Sequence, residues 1–308
     1  MNLKMRMYHT EEDYWRLRAF LREVFLLNQC RELSWQMARL DYWRFFGNPH
    51  IEHYDLTKTI CLWETADGKV AAFITPESRA QVYCQVHPDF RSLELENNML
   101  QAAEDHLAES DNDGCRQVTV WAHQTDILRI QALQDRGYQR GEWPEHQFRR
   151  SLEGDIPEAQ LAQGYKIRSL GDESELPARS WLSWRVFHPD EPDANYRGWE
   201  WYPDVQRCPL YRRDLDLVVA APDGTLAAFC TIWYDDVTRT GYFEPVGVSP
   251  DHQRKGLGHA IMTEGLRRLK HMGALYANVA GYSEAAIGLY SSVMSSDVSR
   301  FERWQKHF

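Results

Sequence analysis

From Glu244 to Leu269 the chain reads EPVGVSPDHQRKGLGHAIMTEGLRRL, an apolar alternating segment that passes through Pro250 and two glycines into an amphipathic helix. A glycine-bearing turn at a helix start gathers backbone N–H groups at one place, and the helix dipole there favours negative charge. Gly256 and Gly258 carry no Cβ, so a ligand can come close to the backbone. The residues therefore describe a place for an anion such as a diphosphate. Neither a GxxxxGK[ST] loop nor a dinucleotide fingerprint is present, since GLGHAI lacks the third glycine. A tight turn that only starts a helix would use the same two glycines.

The elements that must position this turn occur twice, because the chain repeats itself. ADGKVAAF (Ala66 to Phe73) matches PDGTLAAF (Pro222 to Phe229), and VHPD at Val86 matches VSPD at Val248. KMRM at Lys4 answers KIRS at Lys166, and REVF at Arg22 answers WRVF at Trp184. In the second half, periodicity predicts strands at YKIRSL, LDLVVAA, LAAFCTIWY, GYFEPVGVS, ALYANVA and DVSRFERWQ. Helices are predicted in ESELPARSWLSWRVF, ANYRGWEWYPDVQ, GHAIMTEGLRRLKHM and SEAAIGLYSSV. Strands alternating with helices imply α/β domains, each a mixed sheet covered by helices. The expected domains are 1–152 and 163–308, joined by the polar SLEGDIPEAQLAQG from Ser151 to Gly164.

Composition removes several classes of function. A formal charge of −10 over 308 residues argues against a general nucleic-acid binder. Apolar runs such as LDLVVAA stop short of the roughly 20 residues that span a bilayer. MNLKMRMYHTEEDYW lacks the apolar core of a signal peptide, so a cytoplasmic location is expected. The six cysteines stand far apart, with no zinc spacing, and read as reduced thiols with no metal.

VGVSPDHQRKGLGHA resembles the pyrophosphate-binding motif of the GNAT acetyltransferase superfamily, with Gln253, Gly256 and Gly258 at its signature positions. SEAAIGLYSSV is similar to the family's N-x-x-A-x-x-L-Y segment: Ala286, Leu289 and Tyr290 match, and Ser283 stands where Asn is commoner. The chain departs from the pattern at MSSD, where the family usually continues with Gly-Phe. With the duplication, the resemblance implies two tandem GNAT-like domains in the arrangement of the mycothiol synthase-like members, each with a mixed, mostly antiparallel twisted sheet. It also implies acetyl-CoA as acyl donor, with its diphosphate on the amides of Arg254, Lys255, Gly256, Leu257, Gly258 and His259. The pantetheine arm would lie along Val246, Gly247 and Val248, and the Val248 N–H would polarise the thioester carbonyl. Tyr290 would protonate the leaving thiolate. Glu244 is the expected base; its even spacing from Val246 and Val248 puts it on their face. Tyr242, two residues earlier, competes for that role.

In the first half, Glu94 and Glu96 fall where the second has Gly256 and Gly258. Two carboxylates would repel a diphosphate, so this copy is expected to be degenerate, with both acids serving as favourable first-turn residues. The acceptor is expected between Phe187 and Asp214, where His188, Trp199 and Tyr202 are candidate contacts for a small-molecule amine. The same aromatics would also serve as packing. The reading is a small-molecule N-acetyltransferase, monomeric or homodimeric. The alternative is a noncatalytic acyl-CoA-binding regulatory protein.

Overall fold

Alternating apolar residues become strands in both halves of the chain, and the structure, a computed structural model, describes residues 3–111 and 113–308. The first half forms β1 (Lys4–Met7), β2 (Cys61–Glu64), β3 (Val70–Ser78), β4 (Gln81–Val86), β5 (Glu109–Ser110), β6 (Arg116–His123) and β7 (Gln139–Arg140). Its α-helices are α1 (Glu11–Leu27), α2 (Met37–Tyr42), α3 (Leu56–Thr59), α4 (Leu93–His106) and α5 (Ile127–Asp135). β1 to β4 are antiparallel neighbours, and β4 then runs parallel to β6 from Gln81↔Thr119 to Tyr83↔Trp121. The strands send alternate residues to one face. Ala72, Ile74, Cys84, Val118 and Val120 thus meet Leu95, Met99 and Leu100 of α4 and Leu133 of α5 in one core.

The second half repeats this order. It contains β8 (Glu145–Ser151), β9 (Lys166–Ser169), β10 (Asp216–Ala220), β11 (Leu226–Asp235), β12 (Thr240–Val248) and β13 (Tyr276–Gly281). The helices are α6 (Leu176–Phe187), α7 (Tyr202–Gln206), α8 (Leu257–His271) and α9 (Glu284–Val293). β9 to β12 are antiparallel neighbours, and β12 is parallel to β13. Leu217, Cys230, Ile232 and Phe243 pack beneath α8 and α9, while Val218 and Phe229 face α6 with Leu182 and Tyr202.

The last strand, β14 (Val298–His307), does not follow the expected division. The compact units are residues up to Gln147 with Ser299–Phe308, and Phe148–Val298. β14 runs antiparallel to β6 from Phe301↔His123 to His307↔Gln117, and Trp304 enters the first unit's core. Period-two alternation identifies a strand but not its neighbour, which is why the boundaries 1–152 and 163–308 put this segment in the second domain. The expected linker is corrected too: Ile156 and Leu161 pack against the second unit's core. Over ANYRGWEWYPDVQ the helical pieces are a short turn at Asp193–Asn195 and α7, separated by a left-handed Gly198 (φ +93°).

Trp304, 5% exposed, should be worth about 3–5 kcal/mol to the first unit on truncation to Ala. Hydrogen exchange should then accelerate at Val118–Ala122 and stay unchanged at Ala227–Ile232; the reverse pattern would place β14 with the second unit.

Candidate functional site

Pro245 interrupts β12, and the ladder responds. Proline has no N–H to donate, so inside a strand it is confined to edges and bulges. Pairing with β11 steps from Cys230↔Val246 to Ile232↔Phe243, leaving Glu244 and Pro245 opposite Thr231. The even alternation expected from Glu244 to Val248 is therefore broken. Phe243 and Val246, three residues apart, pair with Ile232 and Cys230 on one face, so spacing does not give Glu244 the face of Val246 and Val248. Pro245 was the sequence signal for this bulge.

Beside the bulge β12 also leaves its other neighbour. Its pairing with β13 ends at Phe243↔Val279, so the edge from Glu244 to Val248 has no β13 partner. Val246, Gly247 and Val248 line this opened edge. At Gly247 a Cβ would stand 2.5 Å from the Phe229 ring and 2.8 Å from Val186, so glycine is required by packing there.

The chain then passes Gln253, Arg254 and Lys255 to the start of α8. Arg254 (φ +59°) and Gly256 (φ +73°) are both left-handed, and Gly256 is the N-cap with no side chain capping the first turn. Helix starts leave N–H groups without intrahelical partners. A Cβ at Gly256 would meet nothing within 4 Å, whereas one at Gly258 would stand 3.0 Å from Leu289 and 3.4 Å from Val248. The glycines thus have separate duties, the first freeing the turn and the second letting α8 pack on α9. Tyr165 braces the loop, bonding His252 Nδ1 at 2.9 Å and accepting from Lys255 at 3.1 Å. Leu257 is buried and His259 exposed in the first turn of α8.

Tyr290 projects from α9, where Ser283 is the N-cap and accepts from the Ala286 N–H at 3.2 Å. Its ring meets Phe148 edge-on and lies 2.8 Å from where Gly281 would carry a Cβ. Burial first, then the charge of Glu244, raise the Tyr290 phenol well above its ordinary range. Glu244 and Tyr290 are thus within electrostatic reach of each other. Tyr242 is buried, with Trp233 and Asn278 as its cross-strand neighbours.

The three candidate acceptor residues occupy different settings. Tyr202 is a core residue whose hydroxyl donates to Asp216 at 2.7 Å. Trp199 packs against the same core, and exposed His188 stacks on Trp184. Among the described residues, no group of three or more His, Cys, Asp or Glu could hold a metal.

The first unit fills the matching position with its own side chains. Glu96, aligned with Gly258, is fully buried and bonds Arg129 (2.9 Å) and Arg91 (2.6 Å); Arg91 also reaches Asp126 at 2.6 Å. Arg129 stands three residues after the N-cap Asp126, as Ala286 stands after Ser283, and Leu133 falls where Tyr290 does. The Arg129 Nη1 donates to the Cys84 carbonyl at 2.8 Å, just past the last β4–β6 pair. Ser92 caps α4 through the Leu95 N–H. Glu96 is the expected first-turn acid of α4 and is in addition a buried ion partner.

Residues 176–294 match the acetyltransferase (GNAT) family. A mycothiol acetyltransferase of Streptomyces coelicolor is 30% identical over 154 residues, a match spanning 47% of each chain, about half the length of that relative. One from Saccharopolyspora erythraea is 27% identical over 261 residues, 78% of this chain and 77% of its own. Among solved structures, a GCN5-related N-acetyltransferase from Sphaerobacter thermophilus shares the fold with TM-score 0.67 at 17% identity, covering 99% of this chain and 95% of that one. A tandem GNAT protein from the clavulanic acid biosynthesis pathway also gives 0.67, at 13% identity and with 99% and 98% covered.

Removing one partner of a buried ion pair strands the other charge. Glu96→Ala should destabilise the first unit by about 3–5 kcal/mol in denaturant unfolding, and replacing both Glu96 and Arg129 by Leu should recover most of that loss. Equal losses in the single and double variants would show that the pair is not coupled.

Proposed function

We propose that this chain, whose residues 176–294 match the acetyltransferase (GNAT) family, is an acetyl-CoA-dependent N-acetyltransferase that acts on a small-molecule amine through a ternary complex. The opened edge of β12, whose Val248 lies against Gly258 in the first turn of α8, carries this reading. The curated relatives are themselves acetyltransferases, which supports acetyl as the group transferred.

The residues present fit the donor. N–H groups from Arg254 to His259 would hold the diphosphate, aided by the dipole of α8. Val246 to Val248 would hydrogen-bond the pantetheine arm as a neighbouring strand does, and the Val248 N–H would stabilise negative charge on the carbonyl oxygen. Acetyl-CoA supplies the acetyl group as a thioester. Glu244 takes the proton that the acceptor amine must lose, directly or through water. Tyr290, kept protonated by burial and by Glu244, gives its proton to the departing sulfur. Tyr242, whose ring lies in the interior, is the weaker candidate for base. The first unit has neither the glycines nor the tyrosine, and Arg129 takes the carbonyl that a pantetheine would approach, so we assign it no acetyl-CoA.

Calorimetry should give one acetyl-CoA per chain, and two equivalent sites would overturn the assignment. Gly256→Asp tests the loop, because Asp tolerates left-handed backbone and meets open space there; it should abolish binding through charge alone.

Glu244→Gln and Tyr290→Phe should each lower turnover by about 10²- to 10⁴-fold and keep acetyl-CoA affinity. Tyr242→Phe should cost little; a large loss there with little at Glu244 would move the base. The acidic limb of the rate profile should flatten in Glu244→Gln. In the wild type Tyr290 acts in its protonated form, and its raised pKa should keep the enzyme active above about pH 10, the ordinary phenol value. Binding without turnover across a broad amine panel would favour the regulatory alternative.

A further inference from the structure

The bulge that carries Glu244 belongs to the second copy. In the first copy the equivalent residues pair one to one, through Ile74↔Cys84, Thr75↔Tyr83 and Pro76↔Val82; the register there shifts only one step later and on the other strand, where Glu77 is the extra residue before Ser78↔Gln81. A bulge takes backbone groups out of the ladder, and those groups then need other partners. Here the partner is Trp233, 1% exposed on β11, whose indole N–H donates to the Glu244 carbonyl at 2.6 Å. Indole nitrogen donates only, so this contact has a fixed direction.

A polar network braces the other side of the bulge. Thr231 donates to Asp216 at 3.2 Å and accepts from Arg179 at 3.3 Å. Asp216 also accepts from Tyr202 (2.7 Å) and Tyr211 (2.9 Å). The ring of Tyr211 meets Trp233 edge-on, with centroids 6.3 Å apart. The Glu244 peptide is thereby held by its carbonyl while the residue opposite it is tied to a buried carboxylate.

We propose that Trp233 is a positioning residue for acetyl transfer: its indole N–H fixes the Glu244 peptide in the bulge and so aims the Glu244 carboxylate. This rests on the reading of Glu244 as base. Trp233 touches neither donor nor acceptor in this account and acts through one backbone carbonyl. Small displacements of a catalytic group are costly, reaching about 100-fold for about 1 Å.

Trp233→Phe keeps an aromatic ring and removes the N–H. It should lower kcat by about 10- to 100-fold while the Kd for acetyl-CoA stays within about twofold of wild type. In a Glu244→Gln background the same substitution should cost less than about twofold, because there is no longer a base to aim. Should the smaller ring disturb folding, 3-benzothienylalanine at position 233 preserves shape and volume, lacks the N–H, and should give the same loss. Equal losses from Trp233→Phe in both backgrounds, with Glu244→Gln itself impaired, would overturn the positioning role alone. Full activity in Glu244→Gln would overturn the base assignment and the positioning role with it. Wild-type kcat in the benzothienyl variant would overturn the positioning role whatever Glu244 does.

Discussion

Where β12 parts from β13, backbone groups in the half-buried middle of a sheet lose their strand partner, and buried N–H and C=O groups are costly when unpaired. Each unit answers this demand differently. In the second, the edge beyond Phe243 stays open beside a helix start with no side-chain cap. In the first, the edge beyond Tyr83 receives the Arg129 guanidinium, and the helix start has Ser92 as its cap. One topology thus yields a surface that asks for a polar ligand and another that already contains its partners.

The difference comes down to a few paired substitutions. A buried glutamate at position 96 needs a buried cation, and the alanine position of α9 is an arginine in α5. The two changes fit each other, since a buried Arg129 needs a carboxylate and Glu96 supplies it, with Arg91 as a second cation on the same carboxylate. Their combination also removes the room that small residues leave in the second unit, where a Cβ on Gly258 would already press on Leu289 at 3.0 Å.

Much of the second unit's loop was legible because it is written in neighbouring residues. Gly256, Gly258 and the amphipathic period of α8 lie within one short stretch, and the internal repeat supplied the topology around them. Pro245 marks a break in β12, and because the bulge there interrupts the period of two, even spacing does not give the face of Glu244. Other features had no local signal. Glu96 and Arg129 lie 33 residues apart, and each is unremarkable alone. The Trp233 contact ends on a backbone carbonyl, which sequence does not distinguish from any other. Tyr202 looked like one more aromatic in an acceptor wall; its hydroxyl is spoken for by Asp216, which alternation within β10 could not reveal.

The placement of β14 also bears on how the protein is made. Strand β6 pairs with residues far along the chain, as in Gln124 to Arg300, 176 positions later in sequence. Closing so long a loop is slow, and proteins rich in such contacts fold late. During synthesis the first unit emerges first yet must wait for Phe301 to His307 to leave the ribosome, its β6 edge without that strand and open to wrong partners. The second unit's core residues, from Phe148 to Met294, need no residue of β14. The half made first thus holds the strand made last, and a gene cut between the repeats would yield a first half without its closing strand.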